Sequence, residues 1–166
     1  MREVLPLTVD DKHRIEGFLY QEALCLDEAR LDDWMDLYSD EGVYWMPASP
    51  TQTCPLTEIS VLYEDRLLMD IRRRNFGHAL SPSMDYPVRG SRIIGNVRLS
   101  EDRPDGDIVR VSSTFHAQLY YREETTLFAG KYTHDLAAQG DSYSIVRKRV
   151  DLINADGVHR NLLIYI

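Results

Sequence analysis

The residues with which this chain could do chemistry are few. Five histidines come first: His13, His78, His116, His134 and His159. His116 and His134 fall on segments that read as neighbouring strands, where they could form a metal or acid–base pair. The register that matches the apolar faces of those strands puts His134 on the core side and His116 on the other. Side chains on opposite faces of a sheet cannot share a ligand. His13, His78 and His159 have no ligand-like spacing to one another and read as surface or capping residues.

His134, Tyr132 and Lys148 make a stronger set, because all three point toward one apolar face. In a cone with an open mouth they could bind or deprotonate a small molecule. The structural alternative, which is preferred, makes His134 and Tyr132 satisfied core residues and Lys148 the mark of a strand end or bulge. The acidic group Asp27, Glu28, Asp32, Asp33 and Asp36 could imitate a carboxylate metal site. Its alternation with Trp34 and Leu37 fits the wet side of two helices better. Arg72-Arg73-Arg74 closes a helix-like stretch, where cations suit the dipole; a solvated face is the plain reading and an acidic partner the sharper one. There is no Gly-rich phosphate loop, nucleophile elbow or Cys-x-x-Cys.

The element that must position the trio runs from Asp107 to Asn154. Val109, Val111, Phe115, Ala117, Leu119 and Tyr121 alternate with polar residues, Ser113 being the one polar interruption on the apolar side. A period of two means one buried and one wet face. Phe128, Tyr132, His134 and Leu136 continue on a second strand after a break at Glu123-Glu124-Thr125. Matching apolar sides calls for the pairs Tyr121–Phe128, Leu119–Gly130 and Phe115–His134. Gln139-Gly140-Asp141 turns the chain into a third strand carrying Val146, Val150 and Leu152.

This meander needs a cover. Thr8 to Asp11 offers helix caps, and Ile15, Phe18, Leu19, Ala23 and Leu26 follow at helical spacing. Leu31 to Tyr38 reads as a second helix and Val43 to Met46 as a strand stopped by Pro47. Ile59 to Arg74 begins as a strand and becomes a helix with Leu67, Leu68 and Ile71 as its apolar positions. A loop over residues 81–90 leads to a strand from Arg92 to Leu99. Helices followed by antiparallel strands are the α+β pattern: a cone-like curved, mainly antiparallel sheet with the N-terminal helices on its concave face.

At 166 residues the chain reads as one domain, residues 1–166, with residues 1–8 a flexible or interface arm. Such a domain buries roughly 70% of the surface its unfolded chain exposes, so it needs no metal or disulfide to hold together. Cys25 and Cys54 have no partner motif, which points to a reducing compartment. No signal peptide is read at the start, and no apolar run approaches the ~20 residues of a membrane span. The formal net charge of −8 argues against nucleic acid and against anionic membranes as partners. A cytoplasmic protein is expected. The closing stretch Leu162 to Ile166 is apolar, so it is buried either in the chain's own sheet or against another subunit.

Several segments together carry a family resemblance. Phe18-Leu19-Tyr20-Gln21-Glu22-Ala23 is followed by Leu26-Asp27, Trp34, Leu37-Tyr38 and Tyr44-Trp45-Met46-Pro47. Glu58-Ile59-Ser60 with Tyr63, then Asn96-Val97, Tyr121-Arg122, Phe128-Ala129-Gly130 and Arg147 to Leu152 continue it in order. In these the chain resembles the small, or β, subunit of aromatic-ring-hydroxylating dioxygenases, and the closing Ile164-Tyr165 is most similar to the benzoate and toluate branch. The stretches Pro50–Thr57 and Asp65–Leu68 look shorter than in that branch, which leaves the substrate class open.

The resemblance implies a fold like nuclear transport factor 2 and a non-catalytic role. The Rieske [2Fe–2S] cluster and the mononuclear iron would belong to a large α subunit, in an α3β3 assembly with a homotrimer of this chain. No cofactor, metal ligand or catalytic residue is then expected here, and Trp45, Leu163, Tyr165 and Ile166 are the candidate subunit contacts. The alternatives are a stand-alone isomerase or dehydratase using His134, Tyr132 and Lys148 in the cone, or a ligand-binding or scaffolding module.

Overall fold

The computed structural model describes residues 7–76, 87–159, 162 and 164–166, so His78, Leu163 and most of the 81–90 loop lie outside the described residues. Helix α1 spans Val9–Asp27. It opens on a capping box: the Thr8 hydroxyl accepts from the Asp11 amide at 3.2 Å, and the Asp11 carboxylate accepts from the Thr8 amide at 2.8 Å. Of the arm expected over residues 1–8, Leu7 packs against the core and Thr8 is this cap, while residues 1–6 lie outside the described set. The expected stripe Ile15, Phe18, Leu19, Ala23 and Leu26 is buried, and Glu22 is buried within it.

Helix α2 is Leu31–Asp36 and strand β1 is Tyr38–Pro47, longer than expected because Tyr38 already pairs with Ile145. β2 (Ser60–Asp65), α3 (Arg66–Asn75), β3 (Arg89–Leu99), β4 (Val109–Tyr121), β5 (Glu124–Gln139) and β6 (Ser142–Leu152) follow. The six strands form one sheet in the order β2-β1-β6-β5-β4-β3. Among the described residues, only the β1–β6 pairing is parallel; the rest is antiparallel. α1 lies against β3 and β6, and α3 against β1 and β2. The result is the α+β cone, its helices on the concave face.

Three expectations need correction. The β4–β5 turn is the two-residue Arg122-Glu123, both at positive φ (50° and 64°), so Tyr121 faces Glu124, Ala117 faces Phe128, Phe115 faces Gly130 and Val111 faces His134. This register differs from the expected one by an even number of positions, so every side chain keeps its face. In β6 a bulge lies between the Asp135–Arg147 and Leu136–Ile145 pairs, which turns Ile145 rather than Val146 into the core. In α3, Leu67, Leu68 and Ile71 point outward and Met69 is the buried residue. The reason is polar: Arg66 reaches inward to the carbonyls of Met35 and Tyr38, and Arg72 to Glu64, which fixes that helix's rotation.

Gly130 marks a close approach between strands. A Cβ there would run into the Asp151 carbonyl of β6.

Candidate functional site

Glu22 is the centre of the cone. It sits one helical turn on from Phe18 and one before Leu26, so the stripe that buries α1 carries its carboxylate inward. There Oε1 accepts from the Lys148 ammonium at 2.7 Å and from the Trp34 indole N–H at 3.1 Å. Oε2 lies 2.9 Å from His134 Nε2. With a carboxylate as its partner, that nitrogen carries the hydrogen. His134 and Lys148 face each other across β5 and β6, and Tyr132 is two residues along the same face. The Lys148 ammonium stands 4.2 Å from the Tyr132 ring centre, and that ring stacks on Phe115 at 3.8 Å.

Exposure decides what this cluster can do. Glu22 is 2% exposed, and His134, Tyr132 and Lys148 are each 1% exposed. Burial pushes the Glu22 carboxyl upward, but Lys148 and then His134 outweigh it and hold the group well below the usual carboxylate range. Burial likewise pulls Lys148 down, and Glu22 draws it back. Three donors on a single carboxylate favour the ionised pair. Burial raises Tyr132, Tyr38 and Tyr44, so their phenols stay protonated. A general base needs a free lone pair directed at its substrate. Both oxygens of Glu22 are taken, and Lys148 is an ammonium. The Tyr132 hydroxyl and His134 Nδ1 have no hydrogen-bond partner, but both are sealed from solvent. The arrangement locks α1 to the sheet.

The trio His134, Tyr132 and Lys148 is therefore brought together on the core side as expected. Lys148, however, sits in the middle of β6, two positions from the bulge, and is held by an ion pair rather than placed at a strand end. Sequence reasoning missed Glu22 and the indole of Trp34. A signal existed: an acid inside an apolar helical stripe, facing a sheet whose apolar side carries a lysine and a histidine, must find them.

The other candidates are dispersed. His116 is exposed on the outer face, His13 is exposed near Glu16, and His159 lies 3.2 Å from the Ala155 carbonyl. Asp32, Asp33 and Asp36 are exposed as expected, but Asp27 turns inward, where it binds both the amide and the guanidinium of Arg92. Arg72 grips Glu64, while Arg73 and Arg74 pair with Asp70. Among the described residues, no group of three or more His, Cys, Asp or Glu side chains could hold a metal ion. None of the described helices is long and apolar enough to cross a membrane.

The closing residues fill the rim of the cone. Tyr165 stacks on Trp34 with ring centres 4.3 Å apart, and its hydroxyl donates to Glu64 at 2.5 Å. The Tyr44 hydroxyl donates to the Ile166 carbonyl at 3.0 Å and accepts from the Ile166 amide at 3.1 Å. Trp45 donates from its indole to Ser60 at 2.9 Å, under the Arg149 guanidinium. Trp45, Tyr165 and Ile166 are at most 1% exposed within the chain itself.

Comparison with known proteins fits this geometry. A family model described as ring hydroxylating beta subunit matches residues 21–156, a span that holds Glu22, Trp34, His134 and Lys148. The chain belongs to the ring hydroxylating beta subunit family. As a beta subunit it is 28% identical over 157 residues to the benzoate 1,2-dioxygenase subunit beta of Acinetobacter baylyi, covering 92% of this chain and 91% of that one. It is 26% identical over 156 residues to the 2-halobenzoate 1,2-dioxygenase small subunit of Burkholderia cepacia, covering 91% and 93%. The crystal structure of the beta subunit of benzoate 1,2-dioxygenase from Burkholderia mallei superposes with a TM-score of 0.73 at 26% identity, over 96% of this beta subunit and 99% of that one. The cone is thus the nuclear transport factor 2-like fold of these subunits.

Proposed function

We propose that this beta subunit is the non-catalytic structural component of a multicomponent dioxygenase that adds O₂ to an aromatic acid or hydrocarbon. The observation that carries the reading is the burial of the Glu22 cluster inside a family member: Glu22 is bound by Lys148, His134 and Trp34, and none of these side chains, nor Tyr132, is within reach of solvent. The relatives' names, benzoate and 2-halobenzoate dioxygenase subunits, favour an aromatic acid. A large α subunit supplies the Rieske [2Fe–2S] cluster and the mononuclear iron, and this chain supplies no ligand to either. An isomerase or dehydratase would need His134, Tyr132 and Lys148 within reach of solvent, and their burial speaks against it.

The chain acts as one domain and assembles as a homotrimer within α3β3, in the cytoplasm, with neither nucleic acid nor membrane as partner. Exposed apolar residues support the ring. Ile59, Leu67 and Ile71 lie around β2 and α3, while Ile93 and Leu127 stand on the outer face toward β3. β2 and β3 are opposite edges of the sheet, so one patch can meet the other on the next copy, and such heterologous contacts close at a third of a turn. Trp45, Tyr165 and Ile166 then act from just behind the contact surface.

The test is co-purification from the native host with metal analysis. An iron–sulfur partner of larger mass, with iron retained on that partner alone, is expected. A chain that purifies by itself and carries out an isomerisation would overturn the reading.

A further inference from the structure

The ring of Tyr165 occupies a space whose walls are held by bonds that do not involve that ring. Trp34, its stacking platform, is anchored by its indole N–H on Glu22. Glu64, which accepts the Tyr165 hydroxyl, is fixed by Arg72 through Nε at 3.0 and 3.2 Å. The Arg72 guanidinium also stands 5.5 Å from the Tyr165 ring centre. Tyr44 meets the ring edge-on at 4.8 Å and is tied to the backbone of Ile166. Arg92, bound to Asp27, holds the Tyr165 carbonyl at 2.6 Å, so the backbone too is fixed independently of the side chain.

Stacking face, ring edge, cation and hydroxyl acceptor are the parts of a phenol-recognition site. The geometry points to a preformed binding site for a small para-substituted phenol in the rim of the cone, with the chain's own Tyr165 as its tethered occupant. Walls braced in this way keep their shape when the ring is removed, instead of collapsing into the space. Tethering also gives the Tyr165 ring an effective concentration on the order of millimolar or more. Free phenols below that level leave the unaltered chain empty-handed. The inference stands apart from the subunit role, since it concerns only the residues around one ring.

The experiment is Tyr165→Gly in the full chain, with 4-methylphenol and toluene as probes, read by thermal unfolding and by crystallography. With 4-methylphenol at about 100 times its Kd, the melting temperature of Y165G rises by roughly 5 °C or more, and the unaltered chain does not shift. Toluene, which cannot donate to Glu64, binds at least about tenfold more weakly. The phenol is then found stacked on Trp34 with its hydroxyl on Glu64. No rise with 4-methylphenol, equal binding of toluene, or Trp34 fallen into the space would overturn the proposal. If Y165G is insoluble alone, expression with each probe in the medium decides the matter. Soluble recovery with 4-methylphenol and not with toluene is expected, and recovery with neither counts against the site.

Discussion

Glu22 of α1 and Lys148 of β6, 126 residues apart in the chain, meet at 2.7 Å in the interior of the cone. Breaking one side of a buried pair leaves an uncompensated charge, whereas an apolar replacement of both sides is often neutral. Glu22→Leu or Lys148→Met alone should each cost about 3–5 kcal/mol. The double variant should cost distinctly less than the sum. Urea unfolding of the four proteins checks this; additive losses would mean that the two residues act separately.

The same pair sets an acid limit. Glu22 is held below the ordinary carboxylate range in the folded chain, so the unfolded chain takes up its proton first as pH falls. The pair's contribution is whole above the unfolded glutamate value of ~4.3 and declines as pH drops from there toward the lower folded value. Stability measured from about pH 6 down to pH 3 should fall more steeply for the unaltered chain than for the Glu22→Leu, Lys148→Met double variant. Parallel curves would contradict the assignment.

Tyr44 offers a smaller, cleaner test. Its hydroxyl both donates to and accepts from the Ile166 backbone in the core. Tyr44→Phe keeps the ring and strands two buried backbone groups, which should cost about 1–3 kcal/mol. Faster exchange of the Ile166 amide proton should accompany the loss, and an unchanged unfolding midpoint would rule it out.

Much of this architecture was legible in the residues, and the failures have physical causes. The stripe from Ile15 to Leu26 and the alternation from Val109 to Tyr121 follow from helical and strand periods. The Arg122-Glu123 turn was not legible, because positive φ at both positions ordinarily calls for Gly or Asn. The displacement of Val146 by a bulge has no composition signal. α3 misled because its apolar residues face out while the stems of Arg66 and Arg72 run inward. Glu22 was hidden by the habit of reading acids as solvent-facing, although its position in the stripe gave it away.

The outward apolar face of α3 has its own consequence. Ile71→Glu should leave the stability of the single chain within about 0.5 kcal/mol, since surface changes usually do. It should weaken the proposed ring of three copies, as read by sedimentation across a concentration series. Self-association as tight as that of the unaltered chain would remove this face from the proposed contact.

The subunit role itself is tested most directly by turnover per iron in the oxygenase reconstituted with the Glu22→Leu, Lys148→Met double variant. Losing a general acid or base costs about 10²–10⁴ in rate. If the cone only builds structure, complexes that assemble fully should turn over within roughly twofold of the unaltered enzyme. A loss of about a hundredfold or more, with assembly and melting temperature intact, would show that the cone takes part in the chemistry.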